Sequence, residues 1–246
     1  TSSQNKQETL QLLADQLGEI LHADGCFVSL WDIEKESPIP AAAYGPYRDT
    51  YSTITTVENE PTLTESVLKS QKILVVSDVF HSEMISRNIA EKFPSKSLIG
   101  IPIINNGIKL GAVLIGYNYH RNFSSEDINR VDSLIEPIKL AFLKAQLHED
   151  LETAYDQTLR GWAKAIEMRE HALFDHTERV VKASVEIGKK IGLQKEDLLQ
   201  IKRGALLHDI GKMAIEDRIL LKNGRLTPEE FEEMKSHTTM AYEMLK

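Results

Sequence analysis

The sequence predicts an α+β domain, a central antiparallel sheet flanked by helices, joined by a long helix to an all-α domain that is truncated on its C-terminal side. Three observations carry that expectation. Two apolar β-rich runs, Leu98–Ile104 and Leu110–Tyr117, meet across Asn105-Asn106-Gly107, and Asn-Gly supplies the positive φ angles that a tight hairpin turn demands. Apolar residues then recur every three or four positions from Ile128 to Ile166, the period of one amphipathic helix. From Tyr155 onward the strand signals vanish and every segment has helical spacing.

The first helix lies between Gln4 and Ile20, where Leu10, Leu13, Leu17 and Ile20 share one face. Cys26–Trp31 follows Asp24-Gly25 as a strand, and Ile39–Tyr44 is a second strand bounded by Pro38 and Gly45-Pro46. Thr64–Ser70 has helical character and Lys72–Ser77 has that of a buried strand ahead of the hairpin. After the hairpin, Ser124 faces Asp127 across a capping box that starts the long helix. Pro137 lies inside that pattern, and a proline in a helix interior removes a backbone bond, so a bend is expected there. The next helices are Asp175–Ile191, stopped by Gly192, and Lys195–Leu207. A last one starts at Thr227-Pro228-Glu229-Glu230, where Thr227 caps and Glu230 closes the box.

Composition narrows the function classes. The 246 residues carry 29 Lys+Arg against 37 Asp+Glu, a net charge of −8, which argues against a surface built to bind a nucleic-acid polymer. At 41% hydrophobic and 27% charged residues the chain has the composition of one or two globular domains. No apolar run reaches the roughly 18 residues of a membrane span, so no membrane association is expected. The single Cys26 cannot form an intrachain disulfide, which fits a reducing compartment and makes the cytoplasm the expected location. The sequence starts at Thr1 and stops at Lys246 inside a helical pattern of Met240, Ala241, Met244 and Leu245, and it is read as a piece of something longer.

The order of helix, mixed strands, hairpin and closing helix over residues 5–148 resembles a GAF domain, a small-molecule sensor fold. The resemblance implies an unidentified small-molecule ligand. The Asn-Lys-x-Phe-Asp-Glu string of cyclic-nucleotide-binding GAF domains does not occur, and Cys26 lies in the first strand rather than where bilin-attaching members place a cysteine. Ser29, Trp31, Tyr44 and Tyr117 are polar-tipped or aromatic positions that could line a pocket, although single residues of this kind in strands more often serve ordinary packing.

Chemistry concentrates downstream. His208-Asp209 ends an apolar helix in Ala205-Leu-Leu-His-Asp-Ile-Gly-Lys212, and a neutral imidazole beside a carboxylate suits a divalent or ferrous ion. By itself the pair equally fits a capping Asp beside a buried His. His176, at the start of a helix 32 residues upstream, and His237, near the end of another 29 residues downstream, shift the balance toward a metal.

The strings Ala165-Ile-Glu-Met-Arg169, His176-Thr-Glu-Arg-Val180, Leu206–Ile215, Asp217-Arg-Ile-Leu220 and Leu226–His237 resemble, in order and spacing, the first half of an HD-GYP domain. The resemblance implies a metal-dependent phosphodiesterase that opens cyclic di-GMP to the linear dinucleotide or to GMP. It further implies that His176, His208 and Asp209 hold one divalent ion, that Asp209 bridges, and that His237 belongs to a second ion. Lys212 matches the family lysine that contacts the scissile phosphate, although a solvated helix-end lysine fits the same position. Two such ions can neutralise phosphate oxygens during in-line displacement, and iron or manganese is the expected metal. Ala172 stands where three-metal members carry a glutamate, which favours two ions. Glu216, Thr238 and Asp175 replace two prolines and a glycine common in the family.

The later paired histidines, the last metal-binding aspartate and the Gly-Tyr-Pro motif of the family fall beyond Lys246, so this piece is expected to bind metal weakly and to be inactive, with activity residing in the parent. The competing readings are a degenerate HD signalling module that binds nucleotide without cleaving it, and a generic HD-type nucleotide phosphohydrolase. The expected boundaries are 1–148 for the sensor, 149–170 for a connecting helix and 171–246 for the incomplete phosphohydrolase domain. An apolar stripe along residues 128–166 suggests a parallel homodimer through the connecting helix.

Overall fold

The computed structural model describes residues 2–54, 60–170 and 176–246, with the side chains of 2–5 outside the description; Ala172 and Asp175 lie outside it as well. The chain divides into two compact units, Ser2–Glu149 and Asp150–Lys246.

The first unit is built on α1 (Ser2–Ile20), β1 (Gly25–Asp32), β2 (Ser37–Tyr44), α2 (Leu63–Ser70), β3 (Leu74–Val76), α3 (Arg87–Ala90), β4 (Ser97–Asn105), β5 (Ile108–Tyr117) and α4 (Ser125–Asp132). Its sheet has the order β2-β1-β5-β4-β3, antiparallel throughout. Asn105 pairs with Ile108, and Asn106 and Gly107 take φ of 49° and 81°, which is the hairpin turn expected of Asn-Gly. Because side chains alternate across a strand, β1 sends Cys26 and Val28 to one face and Phe27 and Ser29 to the other. The first face packs on α1 and on α4 and the helix after it, through Leu10, Leu17, Ile101, Val113, Ile138 and Phe142. The second face packs on α2 and α3 through Leu63, Val67, Leu68, Ala90 and Ala112.

The long helix does not bend at Pro137. Helix α4 ends at Asp132, and a new helix, α5 (Ile135–Arg169), begins after Ser133-Leu134. The Leu134 carbonyl accepts from Ile138, so Pro137 lies in the first turn, where the missing N–H would have had no helical partner. The strand expected over Lys72–Ser77 is only Leu74–Val76, a half-buried edge. No helix among the described residues is long and apolar enough to cross a membrane.

The second unit contains the C-terminal part of α5 followed by α6 (His176–Lys190), α7 (Lys195–Leu207), a 3-10 turn (Ile210–Ala214), α8 (Asp217–Leu220), α9 (Pro228–Lys235) and α10 (His237–Leu245). Leu159, Ile166, Val181, Leu206, Leu207, Ile210 and Ala241 form its core. Gly192 has φ of 81° and closes α6 with its N–H on the Lys189 carbonyl. Thr227 and Glu230 form the reciprocal capping box of α9.

Candidate metal centre

Helix α7 ends at Leu207, so His208 and Asp209 leave the helix at the edge of the core formed by Leu206, Leu207 and Ile210. The 3-10 turn that follows carries Lys212 back toward them, with Lys212 Nζ donating to Asp209 Oδ2 at 2.8 Å. His176 is the first residue of α6. One of its ring nitrogens, one of those of His208 and a carboxylate oxygen of Asp209 lie within 4.8 Å of one another. His237 opens α10 rather than ending α9, a correction to the sequence expectation: Ser236 closes one helix and starts the next.

Gly211 is what lets α10 reach the site. A Cβ at this position would lie 1.8 Å from the His237 carbonyl oxygen and 2.6 Å from the Ala241 nitrogen. Only glycine allows that backbone approach, and the approach leaves His237 Nε2 3.7 Å from Asp209 Oδ1. His208 Nε2 lies 3.2 Å from the other oxygen, Oδ2. One carboxylate therefore has a histidine on each side.

The two histidines are oriented alike. His208 Nδ1 is 2.8 Å from the Ala205 carbonyl and His237 Nδ1 is 2.6 Å from that of Met234. A carbonyl only accepts, so Nδ1–H is the donor in both, and each ring points its Nε2 toward Asp209.

Three further residues, whose roles the sequence did not reveal, brace this arrangement. Arg169, the last residue of α5, donates to the backbone carbonyls of Lys212, Met213 and Ile215 at 2.8–3.0 Å and to Asp217 Oδ1. Glu170 Oε1 pairs with Lys212 Nζ at 2.9 Å. Glu167, 7% exposed, accepts the Thr177 N–H at 2.8 Å and so fixes the start of α6 beside His176. Their only signal in the sequence was membership of the string Ala165–Arg169 and its neighbour.

Electrostatics follow from these contacts. Burial alone would raise the Asp209 carboxyl, but the hydrogen bonds and charges of His208 and Lys212 hold it far below the usual carboxylate range. The bond to Asp209 pushes the His208 imidazole up against the opposing effect of its partial burial. Burial would likewise lower Lys212, and Asp209 and Glu170 together outweigh it and keep the ammonium charged.

The donors suit a divalent ion. Ligand bonds of about 2.1 Å, separated by the 3.2 Å between His208 Nε2 and Asp209 Oδ2, enclose an angle of about 100°, within the range of tetrahedral or octahedral centres. Two imidazoles and a carboxylate are the ligand types that iron, manganese and zinc accept. His176 offers a third donor, within 4.8 Å of the other two.

Residues 5–141 match the GAF domain family, and residues 173–246 match the HD domain family. A cyclic di-GMP phosphodiesterase from Thermotoga maritima is 41% identical over 111 residues, 44% of this chain and 30% of that protein. A cyclic di-GMP phosphodiesterase response regulator from Xanthomonas campestris pv. campestris is 38% identical over 103 residues, 42% of this chain and 27% of that protein. The chain thus spans less than a third of the length of these relatives. Among solved structures, the GAF domain of a phosphoenolpyruvate-protein phosphotransferase from Coxiella burnetii superposes with a TM-score of 0.51 at 19% identity, covering 58% of this chain and 84% of that one. That likeness is one of fold.

Proposed function

The chain belongs to the GAF domain family over residues 5–141 and continues into an HD domain over 173–246, and from that premise we propose that it is the sensor and part of the catalytic machinery of a metal-dependent phosphodiesterase acting on cyclic di-GMP. The observation that carries this reading is the Asp209 carboxylate with His208 on one oxygen, His237 on the other, and Lys212 alongside. His176, His208 and Asp209 hold one ion, and Asp209 and His237 contribute to a second, iron or manganese in each case. Bound there, the ions supply neutralising charge for a phosphate and lower the pKa of water.

The chain's own residues do the rest. Lys212 is held by Glu170 and by the Arg169 clamp on its turn, so its ammonium is in place before the substrate arrives. It stabilises the charge that develops on the phosphate as water adds to phosphorus and the bond to the ribose oxygen breaks, that oxygen taking up the proton.

The first unit binds a small molecule and biases the second through α5, which runs unbroken from one unit into the other. Leu140, Leu147, Leu151, Tyr155 and Trp162 remain exposed along that helix at spacings of seven and four residues, the pattern of a coiled-coil seam. A second copy covers it.

Equilibrium titration of manganese-loaded protein with cyclic di-GMP tests the assignment of Lys212. Lys212→Met should retain the metal and weaken binding of the dinucleotide at least about tenfold, about 1.4 kcal/mol. Unchanged binding would remove Lys212 from the phosphate, and loss of the metal would make it structural.

A further inference from the structure

The sheet face opposite α1 closes over a cavity of about 80 Å³ beneath α2 and α3. A single water needs roughly 10–15 Å³ by such a measure, so the space accepts a compact molecule of roughly five to eight heavy atoms. Of the four positions singled out for a pocket in the sequence, only Ser29 faces it. Trp31 packs at the edge of the α2 cluster under Lys109, Tyr44 packs with α1, and the Tyr117 hydroxyl donates to the Leu21 carbonyl.

The chemistry of the lining is unusually one-sided. Phe27, Leu63, Phe93 and Leu114 supply apolar walls, and the described lining residues include no charged side chain. Polarity is confined to hydroxyls. Ser29 Oγ lies 2.8 Å from the Tyr51 hydroxyl and 3.4 Å from Thr64 Oγ1, all three being buried. Ser95, 3% exposed, also lines the cavity. Burial pushes the Tyr51 phenol up to about 12, so the cluster stays neutral at physiological pH.

We propose that the ligand this cavity takes is a small uncharged molecule, apolar over most of its surface, with one hydroxyl or carbonyl directed at Ser29, Thr64 and Ser95. Apolar surface fills the walls, and one polar group satisfies hydroxyls that otherwise face an apolar space. An anion, whether a nucleotide or a carboxylate, loses its hydration and meets no cation, which buried charge does not tolerate. The input to the enzyme is on this reading chemically unlike its substrate.

The inference rests on the sensing role proposed above, but its readout is separate: binding to the first unit is measured without metal or hydrolysis, so either reading can fail while the other stands. Amide chemical shifts of the full chain are followed on titration with p-cresol and, in parallel, with hexanoate, an anion that also has eight heavy atoms. The expected result is that p-cresol, at a few millimolar, moves the amides of Phe27, Ser29 and Leu114. Hexanoate should bind there at least about tenfold more weakly. Ser29→Ala with Thr64→Val should weaken p-cresol several-fold toward the affinity of toluene. Hexanoate binding as tightly as p-cresol, or p-cresol leaving those amides unmoved, overturns the proposal, and both comparisons need only the unaltered protein.

Discussion

At the scale of single residues the candidate metal centre is arranged around the two oxygens of Asp209, and the least conspicuous neighbour, Gly211, decides whether both have a histidine beside them. Its missing side chain leaves the space that the His237 carbonyl occupies. Gly211→Ala should therefore push α10 away, cost about 1–3 kcal/mol of stability through overpacking, and weaken the His237 side of the site while leaving His176 and His208 in place. Thermal unfolding together with the histidine ring resonances distinguishes this from general unfolding, and a variant with unchanged His237 resonances would show the contact to be unimportant. The histidines and Asp209 were legible in the sequence because ligand types at helix ends carry their own chemical signal. Glu167, Arg169 and Glu170 were not, because a surface-type charge acquires a role only when folding brings the α6 start and the 3-10 turn against α5.

At the scale of elements, caps hold the helix that leads out of the sheet. Ser124 Oγ accepts the Asp127 N–H, and Asp127 accepts in return from the Ser124 N–H and from Arg121. Ser124→Ala should cost about 1 kcal/mol by chemical denaturation. The bonds from Ser124, reinforced by Arg121, lower the Asp127 carboxyl. A lowered folded-state pKa means stability that is present above the unfolded carboxylate value and is lost as pH falls through the folded one. Asp127→Asn should flatten the acid side of the stability profile and leave the neutral side parallel; an unchanged acid limb would count against the box. Local signals of this kind, together with the Asn106-Gly107 turn, were readable because they depend on a few adjacent residues. The break at Ser133-Leu134 was not, since neither residue is a helix breaker and the pattern of apolar residues continues across it. The short α3 and α8 are held by tertiary packing of Ala90 and Ile219 and lack a period long enough to detect.

At the scale of the whole molecule, a helix of 35 residues carries an exposed apolar series from one unit into the next. Covered by a second copy, it gives a sensor event on one strand of a coiled coil a partner to shift. Sedimentation at tens of micromolar should show a dimer, and Leu147→Asp with Leu151→Asp should give a monomer with intact metal content. A wild-type monomer at that concentration would mean that something else covers the stripe. Elemental analysis of protein produced with supplementary iron and manganese tests whether the histidines and Asp209 bind a divalent ion. The unaltered chain should carry close to one ion per chain, and Asp209→Asn, folded by its circular dichroism, should carry almost none. Equal metal in both proteins, or none in either after loading, would show that these residues do not hold an ion.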